Sequence, residues 1–138
     1  MLKKFIGCAL LLMLGACAQA PANEPVALVG SNDAVAKMAA GRWSMLLEGR
    51  VDDAYDDYVS PATKVFLSRD AYRGSIKPGL WKRATVKDVD CSSEDLCAVN
   101  VLVGYAYKGK VGGVVENDTV LGETWRKIDG RWWFVPRQ

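Results

Sequence analysis

The spacing of apolar residues changes once along this chain, from a helical period in its first part to a period of two in its second. Beyond residue 32, apolar side chains recur at intervals of three and four, which predicts a helix with one buried face. Asn32 or Asp33 can cap this helix, and Gly49 ends it. The predicted stripe comprises Val35, Met38, Ala39, Met45 and Leu46, with Trp43 and Leu47 at its margin.

Two shorter helices are predicted before the period changes. An aspartate of residues 52–53 can begin one that runs to Val59, and Pro61 lies where this helix stops or where a new turn begins. Ser68 can cap the other, which Gly74 ends. The chain is therefore predicted to be mostly helical before its strands begin.

After Trp81, apolar residues alternate with polar ones, which is the period of a strand. The predicted strands are residues 84–91, 98–107, 118–128 and 131–136, and residues 108–117 form a glycine-rich loop or a bulged strand extension. One face of the second strand carries Val99, Val101, Val103, Tyr105 and Tyr107. Helices followed by antiparallel strands indicate an α+β fold in which the helices cover one face of the sheet.

The dipeptide Asp129-Gly130 predicts a two-residue turn with positive φ between the last two strands. Such a turn sets the register, which pairs Ile128 with Arg131, Arg126 with Trp133, and Trp125 with Phe134. The face expected to meet the core then carries Leu121, Glu123, Trp125, Trp132 and Phe134. On the opposite face, we expect Arg126 to lie over the indole ring of Trp133.

The first residues have the pattern of a secretory signal. Two lysines at residues 3–4 precede an apolar run at residues 5–14, and small residues suited to signal peptidase follow at 15–16. A run of about ten residues spans roughly 15 Å as a helix, which is about half of a bilayer core. The run is therefore too short for a membrane-spanning helix.

The tetrapeptide LGAC at residues 14–17 resembles the lipobox of bacterial lipoproteins. The resemblance implies that the Cys17 thiol receives a diacylglycerol, that the chain is cut before this cysteine and that the new amine is acylated. Ala18, in place of the aspartate typical of inner-membrane retention, favours the periplasmic side of the outer membrane. The alternative is an ordinary secretory signal cut near residues 18–20. The predicted organisation is a signal peptide at 1–16, the lipidated cysteine and a flexible tether at 17–32, and one domain at 33–138.

Charge gives no indication of a nucleic-acid partner. The chain has 18 basic and 16 acidic residues, and two of the basic ones are Lys3 and Lys4 of the signal, so the mature chain carries 16 of each. The basic residues are scattered rather than aligned in a stripe. We therefore expect no binding to nucleic acid.

The four cysteines separate into two groups. Cys8 lies in the signal and Cys17 is the lipidation site, which leaves Cys91 and Cys97. A short polar turn between these two and an oxidising compartment predict a disulfide across the mouth of a hairpin. A metal site would need further thiols or histidines, and the chain has no histidine, so neither metal nor cofactor is expected.

Three stretches resemble the nuclear transport factor 2-like superfamily: RWSMLLEGRVDDAYDDYVSP, LWKRATVKDVDC and GETWRKIDGRWWFV. The resemblance covers about residues 33–136 and implies a cone of helices on a strongly curved antiparallel sheet. The alternative is a helix-covered sheet of another topology. The superfamily includes isomerases, dehydratases and cyclases together with non-catalytic binding domains, so the fold alone does not decide the function.

Enzymes of this superfamily typically carry a His-Asp pair, or an acid with tyrosines, inside the cone. The resemblance therefore implies one of these two arrangements for an enzyme, and because the chain has no histidine, only the second is possible. Glu123 is its best acid, because a carboxylate on an apolar face either has a partner or has a raised pKa. The candidate tyrosines are Tyr58, Tyr72 and Tyr105, of which Tyr58 and Tyr105 are expected beside it in an enzyme. The alternative is a Glu123 held in a salt bridge or lying at the rim. Asp56 and Asp57 are expected on a solvated helix face.

The aromatic residues can line a pocket for an apolar or sugar-like ligand, or they can simply fill the core. The candidate pocket residues are Trp43, Tyr72, Trp81, Tyr105, Glu123, Trp125 and Phe134. The expected function is that of a periplasm-facing outer-membrane lipoprotein, non-catalytic, which binds a small apolar ligand or another envelope protein. The alternative is a small enzyme of the isomerase or dehydratase type.

Overall fold

A computed structural model of the chain describes residues 33–137. The predictions for residues 1–16 and 17–32, Cys17 included, lie outside the described residues. The elements are α1 (Asp33–Leu47), α2 (Val51–Tyr58), α3 (Pro61–Lys64), α4 (Arg69–Ile76), β1 (Trp81–Ser93), β2 (Leu96–Lys108), β3 (Val114–Ile128) and β4 (Arg131–Val135). This is the predicted α+β fold, with the helices first. Between residues 33 and 137, no helix has the length and apolar character needed to cross a bilayer.

The helix ends follow local sequence signals at most positions. The chain leaves α1 through Gly49 at a φ of +77°, and α2 begins at Val51 without a side-chain cap. Ser60 caps α3 and Ser68 caps α4, each hydroxyl accepting a hydrogen bond from a backbone N–H three residues on. Pro61 therefore begins a new turn.

The predicted end of α4 at Gly74 is wrong. The helix continues to Ile76, and Lys77 ends it in the left-handed region at a φ of 51°. Glycine lowers the stability of a helix, but a short helix can contain a glycine when packing of its other side chains stabilises it. Here Tyr72 anchors the helix, because its side chain is almost fully buried.

The sheet is a four-stranded antiparallel meander in the order β1-β2-β3-β4. The first three strands are longer than predicted, because β1 already begins at Trp81 and β3 at Val114, whereas β4 ends one residue early at Val135. Only residues 109–113 form the glycine-rich turn that was predicted over 108–117. The register between β1 and β2 shifts at three places along β1, and bulges of this kind bend a strand.

The last hairpin has the predicted register. Ile128 pairs with Arg131 and Trp125 with Phe134, around a turn in which Asp129 and Gly130 both have positive φ. The prediction that Arg126 lies over Trp133 is wrong. The guanidinium over that indole belongs to Arg131, with 4.4 Å from its carbon to the ring centroid.

The core lies between the helices and one face of the sheet. Helix α1 packs mainly on β1 and also contacts α2, β2 and β4. From α1, the core receives Val35, Ala36, Ala39, Trp43 and Leu46. From the sheet, it receives Val86, Val89, Val99, Val101, Val103, Trp125 and Trp132. Trp43 is therefore a core residue rather than a marginal one, whereas Leu47 is exposed.

A disulfide joins Cys91 to Cys97, as predicted. The two residues are cross-strand partners in β1 and β2, and Cys97 also pairs with Trp125 of β3. The bond therefore fastens one end of the sheet directly beside the buried tryptophan.

The other end of β2 and β3 projects beyond its neighbours. Strand β1 pairs with β2 no further than Tyr105, and β4 pairs only with residues 124–128 of β3. Residues 106–116 are consequently a two-stranded extension, which we call the distal hairpin.

Candidate functional site

Glu123 is buried, with 7 % of its surface exposed, and its carboxylate has three hydrogen-bond donors. Arg42 Nη1 and Trp43 Nε1 donate to Oε1, at 2.6 and 2.7 Å. Trp125 Nε1 donates to Oε2 at 3.0 Å. The charge of this carboxylate is therefore compensated by one guanidinium and two indole N–H groups.

Arg42 is even more deeply buried than its partner, with 2 % of its surface exposed. Its Nε donates to the hydroxyl of Tyr72 at 3.1 Å. The flat face of the guanidinium lies 3.7 Å from the ring centroid of Phe134. The residues Arg42, Trp43, Tyr72, Glu123, Trp125 and Phe134 thus form one connected group, which we call the Glu123 network.

Burial raises the pKa of Tyr72 above its usual value, while the neighbouring positive charge of Arg42 opposes this shift. Tyr72 is thus a neutral phenol that accepts a hydrogen bond from a cation. Among the described residues, no buried side-chain polar atom is without a hydrogen-bond partner.

The network forms where the buried face of α1 meets the buried face of β3, and the sequence pattern predicts both faces. On α1, Arg42 lies in line with Val35, Ala39 and Leu46, at spacings of three and four. On β3, Glu123 and Trp125 share the face that meets the helices.

Arg42 was not among the residues predicted at the site. A signal was present, because an arginine interrupts the buried stripe of α1 just as a glutamate interrupts the buried face of β3. Two unlike charges on two apolar faces are each costly alone, and together they predict a pair.

A depression opens above the network, with a volume of about 260 Å³. Its floor is formed by Arg42, Tyr72 and Glu123. Its wall and rim include Ile76, Leu121, Phe134, Thr124, Pro136 and Arg137. The site therefore joins an apolar wall to a hydrogen-bonded ion pair, as small-ligand pockets do, in a volume slightly below their usual size.

The remaining candidate aromatics lie in a second group. Trp81 donates its indole N–H to the carbonyl of Ile76 at 2.9 Å and packs edge-on against Trp43 and Tyr105. Tyr105 stacks on Tyr107. Since Val99 pairs with Glu123, Tyr105 lies six residues further along β2, about 20 Å away at about 3.3 Å per residue.

Tyr58 packs edge-on against Trp125, with its hydroxyl close to the backbone of Gly41. A β-carbon at Gly41 would collide with that hydroxyl, so this glycine permits a close approach of the two helices. Of the tyrosines considered as catalytic partners, the structure thus brings neither Tyr58 nor Tyr105 into hydrogen bonding with Glu123. It brings Tyr72 into the network instead, through Arg42.

The acidic residues of α2 lie on an exposed surface. Asp52 forms an ion pair with Arg73 and Asp56 forms one with Arg69, so two exposed ion pairs connect α2 to α4. Asp57 is also exposed. Within residues 33–137, no group of three acidic, cysteine or histidine side chains is placed to hold a metal ion.

No protein-family model matches the chain, and no curated protein matches it in sequence. Its fold is similar to that of a SEC-C motif containing protein from Rhodopseudomonas palustris, with a TM-score of 0.54 and 15 % identity, over 72 % of this chain and 73 % of that one. A SEC-C motif containing protein from Psychrobacter arcticus gives a TM-score of 0.54 and 16 % identity, over 75 % of this chain and 59 % of that one. The association domain of C. elegans CaMKII gives a TM-score of 0.40 and 16 % identity, over 72 % and 90 %. At these identities, the two SEC-C proteins resemble this chain in fold alone.

Proposed function

We propose that this chain is a lipoprotein, anchored through Cys17 on the periplasmic side of the outer membrane, whose domain is a non-catalytic binding module. We further propose that the depression above the Glu123 network receives a small ligand with an apolar body. In this proposal the domain is a variant of the nuclear transport factor 2-like cone, in which the interior acid, Glu123, stabilises the fold and does not take part in catalysis.

The observation that carries the non-catalytic role is that both carboxylate oxygens of Glu123 accept hydrogen bonds from buried donors. A general base needs a lone pair aimed at its substrate. Three donors, one of them a buried cation, already bind this carboxylate and fix its orientation. The arrangement supports structural compensation rather than proton transfer.

The depression supports binding of a small ligand because its wall is apolar and its floor is hydrogen-bonded. Leu121 and Phe134 offer apolar surface, and Arg42 below them donates to Glu123 and Tyr72. An apolar group placed there loses no hydrogen bond of the protein. A larger protein segment fits less well in a volume of about 260 Å³.

The ligand site is tested with the apolar fluorophore N-phenyl-1-naphthylamine. Leu121→Trp fills the depression from its wall and is expected to abolish the fluorescence increase of the bound dye. The matched control is Val65→Trp, at an exposed apolar position outside the depression, which leaves dye binding intact. Equal dye binding by both variants would contradict the proposed site.

The anchor is supported by the lipobox-like residues 14–17 and by the apolar run before them. In cells fed labelled fatty acid, the wild-type chain is expected to take up label and to fractionate with the outer membrane. Cys17→Ser removes the acceptor thiol, and Cys8→Ser is the matched control because it removes a thiol of the signal instead. Unlabelled wild type, or a Cys17→Ser chain that keeps both label and membrane fraction, contradicts the anchor.

A further inference from the structure

The distal hairpin exposes large apolar side chains at its end, away from the core and from the depression. Val111 is fully exposed at the tip, and Val114 is 69 % exposed. Tyr107 is also exposed, stacked along Tyr105. No other described strand extends to this end of the hairpin, which we call the tip, and apolar side chains are exposed on both of its faces. Tyr107 lies on one face opposite Val115, and Val114 lies on the other face opposite Lys108.

Lysines lie next to this tip and beside the base of the hairpin. Lys108 and Lys110 lie in the hairpin itself, and Lys82 lies in β1 beside its base. The turn that carries Lys77 contacts the base too, because Ala106 N–H donates to Leu80 and Leu80 N–H donates to Lys77. In the part of the chain that the structure describes, none of these four lysines takes part in an ion pair.

The acidic residues of β3 nearest the tip offset this charge only in part. Asp118 forms an ion pair with Arg83, whose side chain crosses Gly104 to reach it. That leaves Glu116 alone against the lysines of the tip and its base. The end of the hairpin is therefore both apolar and positively charged.

We propose that the tip of the distal hairpin docks on an anionic phospholipid surface, with Val111 and Val114 entering the headgroup region and the lysines contacting lipid phosphates. Apolar side chains, a tyrosine and flanking lysines are the composition that interfacial segments use to bind such a surface. The domain then contacts the membrane directly, in addition to any covalent anchor.

A second copy of this chain is the less favourable occupant. The outer edge of β3 has no strand partner between Val114 and Gly122 in the described structure. Antiparallel pairing of two such edges about their middle would bring Glu116 and Asp118 of both copies together. Like charges placed opposite each other destabilise strand pairing, whereas an anionic bilayer is complementary to the lysines.

The test uses the full chain with Cys8→Ser and Cys17→Ser, so that the result does not depend on lipidation. Val111→Cys carries a polarity-sensitive fluorophore, and Val65→Cys is the matched label position at another exposed valine. On phosphatidylglycerol vesicles, the label at residue 111 is expected to shift to the blue, and the label at residue 65 is not. Phosphatidylcholine vesicles are expected to give no shift.

Charge reversal tests the role of the lysines. Lys108→Glu together with Lys110→Glu is expected to weaken the vesicle response at residue 111 by at least about 30-fold, at about fivefold for each basic residue lost. Lys37→Glu together with Lys87→Glu makes the same change of charge at exposed positions outside the tip and leaves the response unchanged.

Because all these variants share residues 1–32, the comparison isolates the hairpin. Equal shifts at residues 111 and 65, or a shift that survives the reversal at 108 and 110, overturn the proposal. So does a shift that appears without vesicles as the protein concentration rises, which would identify a second copy as the occupant. None of these results bears on whether Cys17 is acylated.

Discussion

Two ion pairs of this protein have the same chemistry and the same length but lie in opposite environments. Arg42 and Glu123 meet at 2.6 Å in the core, with side chains 3 % and 6 % exposed. Arg73 and Asp52 also meet at 2.6 Å, between α4 and α2, with side chains 46 % and 41 % exposed. The distance between the charges therefore says little about what each pair does for the fold.

The difference lies in what happens when one partner is removed. A buried charge left alone cannot be hydrated, so breaking a buried pair costs about 3–5 kcal/mol. An exposed charge is simply hydrated again, and salt screens its interactions. The buried pair thus makes the structure intolerant of a single substitution at either end, whereas the exposed pairs are replaceable.

Arg42→Met is expected to have the largest effect, because it leaves the carboxylate of Glu123 buried with only the two indole donors. The free energy of unfolding measured in urea should fall by about 3–5 kcal/mol. The double variant Arg42→Met with Glu123→Leu removes both charges and should regain most of this loss. A double variant no more stable than the single one would contradict the explanation by an uncompensated charge.

Glu123→Gln is expected to cost less, because the amide keeps the shape of the side chain and one acceptor oxygen. Its NH₂ group would face donors from Arg42 and the indoles, so the cost in urea unfolding should be about 1–3 kcal/mol. Dye binding in the depression should persist in the folded fraction. Unchanged stability combined with lost dye binding would instead assign Glu123 to ligand recognition.

The buried phenol of Tyr72 makes the stability of the interior depend on pH. Burial raises the pKa of Tyr72 in the folded protein above its usual value of about 10.0, so folding disfavours its ionisation. The resulting stability is present below pH 10.0 and is lost as the pH rises above that value. Tyr72→Phe should flatten the decline of the urea midpoint above this pH, whereas an unchanged slope would show that other groups cause it.

Asp52→Asn should have the smallest effect. The ion pair with Arg73 is exposed, so the melting temperature should fall slightly in dilute buffer. In about 0.5 M salt, where screening removes most of the pair's attraction, wild type and variant should melt together. A large fall in the melting temperature that persists in salt would show that this ion pair is not screened by solvent as its exposure predicts, and contributes to stability as a buried pair does.

Short-range signals predicted a large part of the fold. The turn at Asp129-Gly130 and the register of the last hairpin follow from two residues whose φ is positive, and the structure has both. The disulfide of Cys91 and Cys97 closes a short loop between adjacent strands. These features depend on neighbours in sequence, so pattern and residue type suffice to predict them.

The candidate site was predictable only in part. Glu123, Trp43, Tyr72, Trp125 and Phe134 were expected in one interior, and they form one network. Tyr105 was expected there too, but it lies along β2 among other aromatics. The faces of strands follow from alternation, whereas the position of each residue along a long strand relative to the helices depends on packing.

The sequence by itself therefore determined the order of elements, the faces of the last hairpin and the disulfide, because each rests on local geometry. Only the tertiary structure decided that Arg42 meets Glu123, 81 residues further along the chain. The residues next to a buried charge in sequence do not indicate which residue will pair with it. The pair forms when the helix face that carries one charge packs on the sheet face that carries the other, because each charge would be costly to bury alone. The same closure leaves the distal hairpin outside the core, because neither β1 nor β4 is long enough to cover it.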